Sequence, residues 1–565
     1  MPPASRTRAA AWLEELDRVK AAYGGGAAEA KRECLERLER AVLPRAAQVL
    51  RLHEALCHLR AYPDDADLLA RVERMLAGFE RRRDLRRHRR ALDDTGIAGT
   101  EIRFRFFAPT AIRLARRWGE RLSVDWPAFR NKARLEALLP RFALYAETPG
   151  LDEYAFTARQ WIRRLKGPKE TDAAFLVRRF AALRMDGFAR ETFYDELDPA
   201  LRLAPGPDTP ARTRARYGAA SVVFQTRPLS RRRPRLEDEL RRPPAAVRAV
   251  SPREGRELVD LACDAMVTRS RDLDVFAYGD PDDVRLVDCG EGLQLACIGA
   301  VPERRLLLEA VYGFLTLKNG VPIGYVLASA LFGSSEIAYN VFETYRGVES
   351  ASIYGRVLAC ARRLFGSDAF TVFPYQLGDG NDEGLRSGAF WFYQKLGFAP
   401  REAEPRRVLA LERARMRAHP AHRSSLPTLR TLAAHNVFWP RGRRDDVIGI
   451  LPLANVGLHV TRFLAERFGS DREGAARACA REAARLLGVR SLRGFAAGER
   501  LAWERWAPLV MVLPGLPGWS AGDKRRLVGV IRAKGGRRES DFVQRFDAHR
   551  PLRRAIRRLA EDELP

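Results

Sequence analysis

One stretch of this chain reads as strands in an otherwise helical sequence. At its centre stands Lys318-Asn319-Gly320, an Asn-Gly pair between the apolar runs 311–317 and 323–331. Asn and Gly tolerate the positive φ angles of a two-residue hairpin turn, so the two runs are predicted to pair as adjacent antiparallel strands. That hairpin commits the middle of the chain to a sheet. Runs 284–287 and 293–299 precede it as short strands, and 336–342 follows after Gly333-Ser334-Ser335. A helix over 350–365, a strand over 370–373, a helix over 382–396 and a strand over 408–411 complete the order. Ahead of the strands, Ser251-Pro252-Arg253-Glu254 reads as a capped helix start with Pro in the first turn, and this helix runs to about residue 271.

The flanks carry a different period. From Arg8 to about Leu92 apolar residues recur at helical spacing, as in Trp12, Leu13, Leu16 and Val19, and the acids of 64–67 mark the start of a helix through Leu68, Val72, Met75 and Leu76. Further helices are predicted over 108–121, 126–144, 152–165 and 171–182, and beyond Arg413 over 456–468, 473–487 and 541–559. Between residues 203 and 250 seven prolines and Arg231-Arg232-Arg233 interrupt any period, which reads as a linker in which 219–226 alone keeps a strand pattern. The expected architecture is α+β: a helical segment 1–202, an Arg/Pro-rich linker 203–250, a mixed-sheet domain 251–415 and a helical region 416–565. A length of 565 residues fits about three such units.

Charge and cysteine usage narrow the partners. There are 99 Lys+Arg against 72 Asp+Glu, a net charge of +27, at which nucleic acid, anionic membranes and acidic ligands all enter as partners. Nearly all the positive charge is Arg, spread along the whole chain. That is the pattern of an Arg-biased, GC-rich coding composition more than of a dedicated basic tail, and the densest run, 81–90, reads as a solvated helix end. Nucleic acid is therefore a less favoured partner. The seven cysteines are odd in number, widely spaced and without a C-x-x-C pair, so a reducing compartment is expected, with neither a disulfide framework nor a zinc ribbon. His53 and His58 lie five residues apart, off the four-residue spacing that puts two zinc ligands on one helical face, and no metal is expected. The start of the chain has no apolar signal core. The most apolar segment, 321–338, is cut by Gly and Ser, so a cytoplasmic protein without a membrane span is expected.

Three pieces of the central segment carry chemistry. They are Tyr312-Gly313-Phe314 with Lys318-Asn319-Gly320-Val321-Pro322-Ile323-Gly324-Tyr325; the loop Tyr345-Arg346-Gly347-Val348-Glu349-Ser350-Ala351; and Ala389-Phe390-Trp391-Phe392-Tyr393-Gln394-Lys395-Leu396-Gly397-Phe398. Together they resemble a domain of the GNAT superfamily of N-acetyltransferases: its central strands, its R-G-x-G-x-G/A loop and its A-x-x-F-Y-x-K-L-G-F ending. The likeness covers under a third of the chain. It departs at Glu349, where the loop has its middle glycine, and at Arg386, where an asparagine is common.

The resemblance implies an acyl-CoA-dependent N-acyltransferase that uses acetyl-CoA or a longer acyl-CoA and an amine acceptor which the sequence does not identify. Peptide N–H groups where a strand feeds straight into a helix bind a pyrophosphate. In this chain those residues are Arg346, Gly347, Val348, Glu349, Ser350, Ala351 and Ser352. Tyr393 is expected to protonate the departing sulfur, and Glu336 or Glu343, at the two ends of the strand before the loop, to take the proton of the attacking amine. Two alternatives stay open: a GNAT-fold binding or scaffold module that has lost catalysis, with Glu349 as its mark, and a basic protein associated with nucleic acid.

Overall fold

The computed structural model describes residues 3–218, 221–230, 233–347, 349–440 and 444–562. The chain forms two compact units. One comprises Met1–Leu229, Glu257–Tyr278 and Lys318–Pro322; the other comprises Ser230–Arg256, Gly279–Leu317 and Ile323–Pro565.

The first unit is mainly helical. The Asp65 carboxylate accepts the Leu68 N–H and opens the helix Ala66–Ala77 where acids precede the apolar run. In the helix Ala108–Trp118 the buried residues Ala108, Ala111, Leu114 and Trp118 recur every three or four positions and form one inward face. The helix Asp172–Ala181, capped by the Thr171 hydroxyl, buries Phe175, Leu176 and Phe180 against it. Phe180 meets Phe142 and Tyr194 edge-on, with centroids 5.0 and 5.3 Å away. A small sheet absent from the sequence expectation completes this core: β1 (Ile102–Phe104), β2 (Leu122–Val124) and β3 (Leu201–Leu203), in the antiparallel order β1-β3-β2. Each strand has three residues, too few to show a period. Of the predicted strand 219–226, residues 219 and 220 lie outside the described residues and 221–226 adopt no regular structure. Arg231 and Arg232 also lie outside them.

The second unit is built on a mixed sheet of eight strands: β4 (Ala246–Ala249), β5 (Gly279–Gly290), β6 (Leu293–Ala300), β7 (Ala310–Lys318), β8 (Val321–Leu331), β9 (Ser334–Val341), β10 (Ala369–Val372) and β11 (Val437–Trp439). They lie in the order β11-β10-β9-β8-β7-β6-β5-β4. Neighbours β4–β5, β5–β6, β8–β9 and β10–β11 are antiparallel, and β9–β10 are parallel. The Asn-Gly turn closes β7 and β8 as expected, with φ of 49° at Asn319 and 78° at Gly320. Two further tight turns, Glu291-Gly292 and Phe332-Gly333, also have both residues at positive φ. Phe332 holds this unusual conformation while buried edge-on against Phe546, centroids 5.1 Å apart.

The helix Ser350–Phe365 covers the face of the sheet that carries Tyr312, Phe314 and Tyr339: Phe365 lies 5.1 Å from Tyr312, and Tyr354 lies 5.3 Å from Tyr339. The helix Glu539–Ala548 is fastened to the same face by buried polar bonds. Asp283 accepts from the Tyr312 hydroxyl (2.6 Å) and from the Glu539 N–H (3.0 Å), Arg285 donates to the Ser540 hydroxyl (2.8 Å), and Lys534 pairs with Glu539 (2.6 Å).

Three expectations are corrected. Residues 408–411 form no strand but belong to the helix Ala403–Ala418, which buries Pro405, Leu409 and Glu412 at helical spacing. The strand beside β10 is instead β11, from a region expected to be wholly helical. Both edge strands, β4 and β11, thus come from outside 251–415. The helix expected over 382–396 is two helices, Asp382–Ser387 and Ala389–Lys395, broken at Gly388 with φ 68°. No helix among the described residues is long and apolar enough to cross a membrane.

Candidate active site

The site begins with the way β9 is paired. The turn Phe332-Gly333 makes Leu331↔Ser334 the closing pair of the β8–β9 hairpin, and along an antiparallel ladder alternate residues direct their peptide groups to the partner. Ser334, Glu336, Ala338 and Asn340 therefore bond to β8. The Phe342 N–H, 2.9 Å from the Ile323 carbonyl, keeps that alternation to the end of the strand. Ser335, Ile337, Tyr339 and Val341 direct their peptide groups the other way, toward β10. Yet the β9–β10 ladder ends at the pair Thr371↔Glu336. After Val372 the chain turns into the short helix Pro374–Leu377, and the peptide groups of Ile337 and Tyr339 face an edge that β10 has left.

The predicted anion loop follows β9. Arg346 leans back over the open edge, its Nε donating to the Val341 carbonyl at 3.2 Å and its guanidinium paired with Glu383 at 2.5 Å. Gly347 has φ 151°, and a Cβ there would meet no atom within 4 Å, so the loop has open space above it. Val348 lies outside the described residues. Glu349 is the N-cap of the helix Ser350–Phe365, in a helical conformation and without a capping bond from its side chain. Its charge is close enough to add to burial in pushing the Tyr339 phenol up. Ser350, Ala351 and Ser352 make the first turn, and the Ser350 carbonyl accepts from the Tyr339 hydroxyl at 3.2 Å.

Tyr393 reaches the same place from the helix Ala389–Lys395. Its ring is buried edge-on against Tyr354 at 5.5 Å, burial pushes its phenol up, and its hydroxyl has no hydrogen-bond partner among the described residues. Arg346, Ser350 and Tyr393 line one cavity of about 260 Å³, together with Tyr339 and Asn340 of β9. The two predicted bases part company. Glu336 sits on β9 at the vertex where β10 leaves, and burial with the nearby charge of Glu309 pushes its carboxyl up to about 7. Glu343 lies exposed in the turn Glu343–Tyr345. Neither lines the cavity. Glu336 shares one sheet face with Ala338 and Asn340, because strand residues alternate, and Asn340 is about 13 Å farther along that face.

Some cavity residues had no place in the sequence reading. Asn340 has a buried Oδ1 with no partner among the described residues. Gln376 and Asn381 come from the segment after β10, where Asn381 caps the helix Asp382–Ser387 by accepting the Gly384 N–H at 3.1 Å. A polar residue two positions from the end of a strand marks Asn340, and the run Gly378-Asp379-Gly380-Asn381 marks the second segment. Among the described residues no group of three or more His, Cys, Asp or Glu is placed to hold a metal ion. Comparison with family models, curated proteins and solved structures returns no match to this chain.

Proposed function

We propose that the second unit is an acyl-CoA-dependent N-acyltransferase, its sheet edge and anion loop used as in the GNAT superfamily that its motifs resemble. The observation that carries this is the convergence of Arg346, Ser350 and Tyr393 on one cavity of about 260 Å³ beside the unpaired edge of β9. The positive end of the helix Ser350–Phe365 at Ser350, Ala351 and Ser352, with Arg346 beside it, suits a pyrophosphate. The outward peptide groups of Ile337 and Tyr339 suit the amide-bearing arm between that pyrophosphate and the thiol of coenzyme A. When bound, the thioester supplies an acyl carbonyl open to attack by an amine. Tyr393 gives the proton of its hydroxyl to the departing sulfur, and Glu336 takes the proton of the amine nitrogen through water along the Asn340 face. A carboxyl that titrates near 7 is matched to this task at neutral pH.

One pairing favours a second reading, a binding module without turnover. Arg346 is already paired with Glu383, and Glu349 adds negative charge near the cavity. Thermal unfolding with acyl-CoAs of increasing chain length, followed by release of free CoA with a pool of amines, separates the two. At about a hundredfold over its dissociation constant a ligand of the native state adds about 2.7 kcal/mol. Stabilisation with CoA release supports the transferase and stabilisation without release supports the binding module. No stabilisation by any CoA species refutes both.

A further inference from the structure

The arginine excess is compositional in number, but its pairing is not uniform. In the first unit some arginines are matched, Arg113 with Asp260 and Asp264, Arg202 with Glu101 at 3.0 Å and Arg216 with Glu73 at 2.7 Å, while many exposed ones stand apart from any acid among the described residues. What sets one place apart is convergence: six cations against three acids line a groove of about 1030 Å³ between the helix Ala108–Trp118 and the helix Asp172–Ala181. Arg116, Lys169 and Arg179 line it and have no ion-pair partner among the described residues, and Arg121 spends one N–H on the Pro205 carbonyl. Only Arg117 and Arg178 of its cations are paired, with Asp260 at 3.0 Å and Glu170 at 2.5 Å, and Glu120 and Asp208 are the remaining acids of the wall. A second recess of about 350 Å³ adjoins it through Arg121, and there Arg81, Arg86 and Arg89 are likewise without acid partners among the described residues.

Two features point to a ligand. An Arg-rich composition accounts for many arginines on convex surface but not for their convergence on two joined concave recesses, where mutual repulsion opposes folding unless an anion relieves it. The wall also holds the indole of Trp118, 4% exposed, whose N–H has no acceptor among the described residues and whose ring lies 4.9 Å under the Arg117 guanidinium. Unpaired cations spread over two joined recesses exceed what a single phosphate neutralises. The cations line concave recesses, which a flexible single strand can enter and a rigid duplex cannot. We propose that this groove binds the phosphodiester backbone of a single-stranded nucleic acid, its phosphates meeting the unpaired arginines and Lys169.

The test is anisotropy of an end-labelled oligouridylate of about 16 nucleotides, long enough to follow both recesses, titrated with the full chain between 50 and 200 mM salt. The triple variant R86A/R116A/K169A removes three exposed cations that make no side-chain hydrogen bond among the described residues. If each neutralises one phosphate, the salt slope falls by about 2 and binding at 0.1 M salt weakens about 100-fold. The control triple R477A/R525A/R554A changes the net charge equally, at exposed positions of the other unit, and should stay within about threefold. The variant R86K/R116K, which keeps the charges, should bind nearly as the parent does and guards against loss of folding in the triple variant. No saturable binding at 50 mM salt, an equal loss in both triples, or competition by tripolyphosphate or a blunt duplex as effective as that by the oligomer overturns the proposal.

Discussion

Replacing Glu336 by Gln exchanges a titrating carboxyl on β9 for an amide of the same shape, and the size of the effect follows from its surroundings. Burial, with the charge of Glu309 adding to it, raises this carboxyl from its ordinary 4.5 to about 7. A difference of about 2.5 pH units at 1.36 kcal/mol each is about 3 kcal/mol. The folded chain holds the proton more tightly than the unfolded one, so the carboxyl is harmless at low pH and opposes folding once it ionises. Stability is therefore lost as pH rises through about 7. Between pH 5 and pH 8 the part that changes is about 2.5 kcal/mol. Urea unfolding of the parent and of Glu336→Gln at both pH values gives the quantity needed, because titrating groups that do not interact with Glu336 cancel in the difference between the two proteins, which leaves Glu336 and its coupling to Glu309. Gln should be nearly neutral at pH 5 and stabilising by about 2–3 kcal/mol at pH 8. A difference independent of pH to within about 0.5 kcal/mol would mean that Glu336 ionises as an ordinary carboxylate, and its role as a base poised near neutrality would go with it. If the proposed transfer takes place, the same group predicts activity that falls on acidification below about pH 7 in the parent, with that limb missing from the residual activity of the Gln variant.

Tyr393→Phe should leave the unfolding free energy within about 0.5 kcal/mol, since the hydroxyl has no partner among the described residues to lose. CoA release should nevertheless fall about 10²–10⁴-fold in a stopped assay with acyl-CoA and amine. Glu349→Gly removes a negative charge beside the predicted phosphate position and should tighten CoA binding by about two- to fivefold in calorimetry, the scale of one charge at a helix end; unchanged binding would place the carboxylate out of reach. Lys534→Met leaves the buried Glu539 carboxylate with only the more distant Arg305, at 4.0 Å, and should cost about 3 kcal/mol in denaturant unfolding. The double change Lys534→Met with Glu539→Leu should recover much of that loss.

How far the sequence foretold this fold depended on the range of the interactions that set each element. The Asn319-Gly320 turn and the helix Ser350–Phe365 were legible because their causes are local: two residues that accept positive φ, and an apolar period ending at Gly366 in a left-handed conformation. The strand expected over 408–411 failed for a complementary reason. A run of Val, Leu, Ala and Leu fits either period over so short a length, and burial of Pro405, Leu409 and Glu412 decided for the helix. β11 was missed because Val437–Trp439 becomes a strand only through Phe370, Thr371 and Val372, with which it pairs. The turns Glu291-Gly292 and Phe332-Gly333 carry a weaker local signal, and Phe332 accepts its conformation only with Phe546 packed on it.

The same distinction divides the candidate site. The proposed anion loop and Tyr393 are written in short contiguous motifs, because a turn that feeds a helix and a residue placed on the next helix need only local spacing. Glu336 and Glu343 were indistinguishable as two acids at the ends of one strand. What separates them is non-local: β10 covers the first at Thr371 and Glu309 crowds it, while the second is left in an exposed turn. Charge behaves alike. A sequence gives the total of +27 but not which arginines find acids, and the partners that decide lie far apart in the chain, as Arg202 and Glu101 do. An Arg excess therefore becomes informative only where unpaired arginines converge in a concave place, and those around the Trp118 groove are the ones whose removal should change binding rather than solubility.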